Sequence, residues 1–331
     1  MKRLLVVILV AALGWSAYWF IGSSGAKSGF TAWFDARQSE GWQAEVSDIT
    51  VSGYPNRFDT TFTGIALADP DTGVAWQAPF FQLFALSYKP NHVIGIWPNE
   101  QTLAFPDQSV RVISEKMRAS LVLRAGTALL LDRANFSVDT LGVQSSADWR
   151  LAANSLTLAL HRQDKGFHTY RLALKAEGLA PPIAYNLPSG KSLPKTLKIV
   201  QADLFVGFDA PWDRHALEDA RPQPTWIDVK TAQVTWGDLE LQAAGKVTVD
   251  STGYPNGELT LRATNWREII AVARATDQIP TGVLNAVEQG LELLAGLSGN
   301  PKTLDIPLNF GSGATRIGPI PIGPAPRLVL R

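Results

Sequence analysis

Leu156, Leu158 and Leu160 alternate with Ser155, Thr157 and Ala159, and Leu172, Leu174 and Ala176 alternate with Arg171, Lys175 and Glu177. Successive side chains of an extended chain point to opposite faces, so each run is a strand with one apolar and one wet face. The pattern recurs in Gln201 to Phe208, Thr225 to Trp236, Leu239/Leu241/Ala243, Val247/Val249 and Leu259/Leu261/Ala263. Within Thr225 to Trp236 the apolar phase passes from Ile227 and Val229 to Ala232, Val234 and Trp236, which predicts a bulge near Lys230 or Thr231. Turn residues separate runs at Asp69-Pro70-Asp71-Thr72-Gly73, Asp164-Lys165-Gly166, Trp236-Gly237-Asp238 and Tyr254-Pro255-Asn256-Gly257, as in a meander.

Three segments of the body carry helical spacing. Ser28 to Glu40 places Phe30, Trp33, Phe34 and Arg37 at that period. Asn265 to Ala275 opens with Asn265 and Glu268, a capping pair. Thr281 to Leu297 sets Val283, Leu284, Val287, Leu291 and Leu294 on one face and stops at Gly299-Asn300-Pro301. The last of these either plugs the end of a curved sheet or lies across its apolar face. At the C-terminus Pro319 and Pro321 share one strand parity, so two N–H donors are missing from the same side. That predicts an edge strand or a polyproline-like terminal run. The expected fold is a β-rich α+β architecture: a large, curved, mainly antiparallel sheet with a few helices, after an N-terminal transmembrane helix.

The first 26 residues supply that helix. Lys2 and Arg3 precede an uncharged run from Leu4 to Ile21 that ends in Trp15, Tyr18, Trp19 and Phe20. As a helix the run spans about 27 Å, close to the roughly 30 Å of a bilayer's hydrocarbon. Trp and Tyr favour the membrane interface. Residues 1–26 are therefore read as an uncleaved anchor, in preference to a cleaved signal peptide with Ser24-Gly25-Ala26 as its exit. Residues 27–331 form the body. The flanking cations favour a cytoplasmic N-terminus and an exported body.

Composition narrows the chemistry. The chain has no cysteine, which removes disulfides, thiolate nucleophiles and Cys-based zinc sites. Thirty basic residues balance thirty acidic ones, against a nucleic-acid partner. There is no G-x-S-x-G elbow, phosphate-binding loop, dinucleotide-binding glycine pattern or H-E-x-x-H. Of four histidines, His161 and His168 flank a turn and can face one another, but no third ligand clusters with them. Asp69 and Asp71 imitate the start of a calcium loop that Pro70 breaks, so they read as turn residues. No catalytic constellation, metal site or cofactor is expected. Gly53-Tyr54-Pro55-Asn56 returns as Gly253-Tyr254-Pro255-Asn256, each between alternating runs, which predicts two similar hairpins.

With the anchor, the segments VSGYPNRFDTTF, APFFQLFALSYKPNHVIGIWP and RIGPIPIGPAP make the chain resemble the bacterial envelope family catalogued as domain of unknown function 2125, over essentially everything after the anchor. The shared motifs, G-[FY]-P-x-R-F and Tyr88-x-Pro90-x-His92, are structural rather than catalytic. The resemblance extends to the AsmA-like proteins, inner-membrane-anchored periplasmic proteins whose long curved sheets form an apolar groove implicated in carrying phospholipid. It implies the inner membrane as the site of the Leu4 to Ile21 span, a periplasmic AsmA-like body, and a phospholipid or other apolar ligand. This chain is much shorter than those proteins, so its groove need not bridge the periplasm.

Phe80, Phe81 and Phe84 lie in a segment with few polar positions and are the candidate lipid-binding residues. Burial of eight methylenes at about 0.8 kcal/mol each contributes roughly 6 kcal/mol, enough to retain an acyl chain without a specific polar contact. The expected function is binding of lipid or other apolar envelope material, in support of lipid transfer or envelope homeostasis. The alternative is an envelope scaffold that engages protein partners without lipid cargo.

Overall fold

Alternating sequence becomes antiparallel sheet throughout. The computed structural model describes residues 1–166, 168–180, 193–218, 220–275, 280–297, 302–318 and 320–330. Among the described residues seventeen strands pair antiparallel in one large sheet. The chain divides into two units: residues 1–125 with 134–150, and residues 126–133 with 151–331.

The first unit opens with α1 (Lys2–Ser39), one continuous helix. The separate helix expected from Ser28 is the second half of this element, with no break after the apolar run. Gly22 and Gly25 each cost a helix about 1 kcal/mol relative to Ala, a cost that packing offsets. Trp19, Ser23 and Phe34 are buried against the unit's own strands. Those strands are β1 (Gln43–Ser52), β2 (Arg57–Asp69) and β3 (Val74–Leu86), paired in that order. Beyond β3 the ladder forks. One half of β3 pairs with β4 (Lys89–Ile96), which pairs with β7 (Lys116–Leu123). The other half pairs with β5 (Glu100–Ala104), followed by β6 (Ser109–Ile113) and β8 (Leu131–Ser145).

The second unit is a meander in chain order: β9 (Arg150–Arg162), β10 (Thr169–Leu179), β11 (Leu197–Phe208), β12 (Pro224–Trp236), β13 (Leu239–Val249), β14 (Pro255–Thr264), β15 (Thr303–Gly311), β16 (Ala314–Ile317) and β17 (Ile320–Pro324). A short helix absent from the sequence expectation, α2 (His215–Glu218), lies before β12. The apolar phases join across strands: Leu160 faces Leu172, which faces Leu204, and further along Val234, Leu241, Ala263 and Leu304 are partners in turn. The predicted bulge is present, since Asp203 pairs with Thr231 but Leu204 with Val229, leaving Lys230 extra. β17 is an edge strand that pairs with β16 alone among the described residues. Pro319 and the Gly299-Asn300-Pro301 stop lie outside the described residues.

Helices α3 (Trp266–Ala275) and α4 (Thr281–Leu297) are inserted between β14 and β15 and cover the apolar face. Trp266, Val287, Leu291 and Ala295 pack with Ala263, Leu304 and Ile306 in one core. The long helix therefore lies across the sheet rather than plugging its end. Leu294, expected on the buried face, is exposed, and Ala295 takes that place. Asn265 is not a regular N-cap. Its φ is +57°, whereas an N-cap is extended, and its side-chain amide donates to the Asp238 carbonyl.

On the wet face cross-strand ion pairs replace apolar contacts. Arg171 forks onto Asp203 at 2.8 and 2.6 Å, and Arg262 onto Asp305 at 2.7 and 3.0 Å. Hydrogen bonds from these guanidinium groups hold both carboxyls below the ordinary aspartate range. The unfolded chain then binds more protons in acid, so this stabilisation is complete above the unfolded pKa, about 3.9, and is lost as pH falls through the depressed folded values. Asp203→Asn with Asp305→Asn should flatten the acid slope of the denaturation midpoint between about pH 5 and pH 2, with about 1 kcal/mol or less lost per pair near neutrality. An unchanged slope would refute the linkage.

The repeated tetrapeptides are only partly equivalent. Gly53 to Asn56 is itself the β1–β2 turn, whereas Pro255 already opens β14 after a turn begun at Asp250. Both glycines nevertheless hold positive φ, +98° and +88°. A Cβ at Gly53 would lie 2.9 Å from the Arg57 carbonyl oxygen, and one at Gly253 would meet Val329. Gly53→Val and Gly253→Val should each destabilise the protein by about 1 kcal/mol or more in chemical denaturation. Unchanged midpoints would remove this account of the turns.

Candidate functional site

A groove of about 570 Å³ runs between α1 and the face of β2 and β3 in the first unit. The helix supplies Ala26, Gly29, Phe30, Trp33 and Phe34, and the strands supply Phe62, Ile65, Leu67, Trp76, Phe81 and Leu83. Its volume falls within the roughly 300–1,000 Å³ of small-molecule sites. The lining is almost wholly apolar and includes no titratable side chain. Trp76 commits its indole N–H to the Gln101 Oε1 at 2.7 Å. Arg37 sits over Trp33 at 5.9 Å and is paired with Glu40 at 2.7 Å.

Aromatic rings make the floor. Phe62 meets Phe30 edge-on at 4.9 Å between centroids and stacks on Phe81 at 6.2 Å. Phe81 in turn contacts Trp76 at 5.8 Å and Trp97 at 4.9 Å. The floor depends on a change of side-chain phase in three neighbouring strands. Ala44 and Val46, Leu67 and Ile65, and Trp76 face α1 on one phase; Ile49, Phe62, Phe81 and Leu83 face it on the other. Gly64 lies at the switch with φ +61°, where a Cβ would strike the Ser47 hydroxyl, and the β2–β3 pairing is interrupted there, between Thr63/Phe80 and Ile65/Ala78, at Pro79, which has no N–H. The roof is thin because Ala26 and Gly29 are small. A Cβ at Gly29 would meet nothing within 4 Å.

Of the three phenylalanines singled out by composition, Phe81 lines this groove. Phe80, opposite Thr63, and Phe84, opposite Asp59, fall on the alternate strand phase, and the Arg57 guanidinium lies over the Phe84 ring at 6.0 Å. Sequence reasoning missed the five helix residues and the β2 contribution. The spacing of Phe30, Trp33 and Phe34 was the available signal.

Other candidates separate. His161 is opposite Arg171 in the ladder, not His168. Among the described residues no three His, Asp or Glu side chains gather as a metal site. Asp69 closes its own turn, accepting from the Asp71 N–H at 2.9 Å and the Thr72 hydroxyl at 2.8 Å, and the Thr72 bond lowers its pKa. In the second unit a smaller apolar cavity of about 160 Å³ lies between α3 and the β12–β13 hairpin, beside Val234, Leu241 and Ile269.

At its N-terminal end the groove meets a clamp on α1. Trp15 donates to the Pro55 carbonyl at 3.0 Å, Tyr18 to the Ser87 carbonyl at 2.6 Å, and Trp19 to the Arg57 carbonyl at 2.7 Å. Ser16 and Tyr54 share a hydroxyl hydrogen bond of 2.7 Å. Trp19 is 5% exposed between Tyr54, Phe58 and Phe20. The G-Y-P-x-R-F element is thus a helix-binding turn.

These features define a class: an antiparallel β-sheet protein whose N-terminal apolar helix is built into its core and flanks an apolar groove. The chain belongs to the bacterial family described as "Uncharacterized protein conserved in bacteria (DUF2125)", which matches residues 19–326. Comparison with the curated proteins and with the solved structures gave no match. The family match begins at Trp19, so it includes the half of α1 that packs on the sheet.

Glycines of α1 provide a test of this packing. A Cβ at Gly22 would lie 2.6 Å from the Phe58 ring, so Gly22→Leu should destabilise the protein by about 1–3 kcal/mol through overpacking. Gly29→Ala, aimed into open space, should be neutral or stabilising by up to about 1 kcal/mol. Equal effects of the two in thermal or chemical denaturation would contradict the described contact.

Proposed function

We propose that the protein is a single-pass inner-membrane protein whose periplasmic body holds the acyl chains of lipid in the groove between α1 and the β2–β3 face, in support of lipid transfer or envelope homeostasis. The carrying observation is the groove itself: apolar along its length and without a charged lining. Such a site selects for hydrocarbon and leaves a head group unread, and the absence of convergent polar groups gives no reaction for the site to perform. Its first lining residue, Ala26, lies about 8 Å along the helix from Ile21, where the apolar run ends, so a tail leaving the bilayer has a short path to the groove.

An uncleaved anchor is supported by the same packing. α1 is long and apolar enough to cross a membrane. Cleavage after Ala26 would remove Trp19 and strip its cover from Phe58 and Tyr54, which favours retention of the segment. The AsmA-like relationship fits a sheet with an apolar face and is part of the proposal. In the second unit the same kind of face continues beyond α3 and α4, and Leu158 on β9 is 37% exposed.

The test is a photoreactive residue at groove position Leu67 in the full-length chain in membranes, with Gln77, exposed on the alternate phase of β3, as control. Leu67 should crosslink phospholipid and Gln77 should not. Gly29→Trp, which fills the groove from the open side of the helix, should abolish the Leu67 product while the melting temperature holds. No lipid at Leu67 would defeat the lipid reading and leave the scaffold alternative in front.

A further inference from the structure

We infer that the tip of the first unit, the turns at Tyr54–Pro55 and Ser87–Tyr88, is immersed in the leaflet on the body's side of the membrane that α1 crosses. The inference rests on α1 being a membrane span, as proposed above, and follows from a length. The apolar run extends from Leu4 to Ile21, yet the tip clasps the helix from Trp15 onward. Only Leu4 to Gly14 precedes the clamp, about 16 Å of helix against roughly 30 Å of hydrocarbon. Thinning the bilayer over a shortfall of about 14 Å is costly, at fractions of a kcal/mol for each Å. If Ile21 instead marks the edge of the hydrocarbon, Trp15 lies about 9 Å inside it, and the turn bonded to Trp15 lies there too.

The chemistry of the tip suits that position. Tyr54 and Tyr88 are 53% and 63% exposed, and Tyr54 stacks on Phe20 at 5.7 Å, a ring that is itself exposed, as is Ile21. Tyrosine prefers the interface, where its ring is dry and its hydroxyl wet. Backbone that enters a membrane must satisfy its polar groups within the protein. Here the Asn56 and Arg57 N–H groups both donate to the Gly53 carbonyl, the Ser87 N–H donates to the Asn56 carbonyl, and the Pro55 carbonyl accepts from Trp15. Pro55 has no N–H to satisfy, and Ser87 is completely buried. Lys89 flanks the tip with a long, exposed stem whose charged end can reach lipid phosphates, while the Arg57 guanidinium is held inward on Asp59 at 2.6 Å. The tyrosine and proline of the G-Y-P-x-R-F element thereby each gain a role at an interface.

Because the chain lacks cysteine, single labels are clean. Tyr88→Cys and, on the exposed β2–β3 turn, Asp71→Cys would be labelled with an environment-sensitive fluorophore in the full-length chain, reconstituted in phosphatidylcholine–phosphatidylglycerol vesicles. The label at position 88 should emit further to the blue, be quenched several-fold more strongly than that at 71 by lipids carrying a nitroxide at the head group or upper acyl chain, and resist iodide. If the protein withstands alkaline extraction but both labels respond alike to iodide and to nitroxide lipid, immersion of the tip is overturned while the anchor stands. Release of the protein by alkaline extraction would overturn the anchor and this inference together. Lipid crosslinking at Leu67 reads the groove separately from both.

Discussion

One helix carries an exposed apolar half and a half packed on the sheet, and most of the first unit follows from that constraint. The early turns of α1 present leucine, valine and isoleucine on all sides, while its later turns present Phe30 and Phe34 to one side only, against Phe62. Between them lies the Gly22 to Ala26 stretch, where small side chains let strands approach. Phe58 occupies the space that a Cβ at Gly22 would need, and Trp19 spans from the helix to Tyr54 and Phe58. A break in the helix there would separate these rings and uncover the apolar side of β1 to β3. Continuity of the helix and burial of the sheet are therefore one interaction seen from two sides.

The groove is a by-product of this packing. A helix lying over three strands leaves a gap wherever its facing residues are small, and Ala26 and Gly29 are small. The strands meet the gap with large rings rather than filling it, because the phase switch at Gly64 and Pro79 brings Phe62 and Phe81 to the helix side together. Protein interiors normally close such spaces, since every unfilled methyl-sized void costs about 1 kcal/mol. Retaining a space this large and this apolar is economical when something apolar occupies it.

The strands, the bulge at Lys230, the long helix and the edge strand were legible because they rest on local periodicity. Leu156 to Leu160 read the same in the sequence as in the ladder, and the parity break in Thr225 to Trp236 is the extra residue of the bulge. What escaped was non-local. Gly22, just before Ser24-Gly25-Ala26, reads in sequence only as a small residue near a cleavage-like stretch, and only Phe58 on β2 makes it a packing position. Phe80, Phe81 and Phe84 look alike in sequence, yet a phase switch shared by three strands sends one to the groove side and two to the other. Asn265 looked like a cap, but the approach of the Asp238 carbonyl gives its side chain another partner.

The second unit's meander bears on how the chain assembles. Each strand from β10 to β14 pairs with the one synthesised just before it, so every new pairing joins neighbours in the chain at modest loop-closure cost. Strands can be laid down in succession as the polypeptide is delivered N-terminus first, without waiting for distant segments. One step breaks the rule. Thr264 meets Thr303 only after α3 and α4 have intervened, so β15 and the strands that follow depend on a hydrophobic nucleus at Trp266 and Leu291 to bring them home. The three C-terminal strands are accordingly the last part of the sheet to acquire an edge to grow on, and until they do β14 presents an open one.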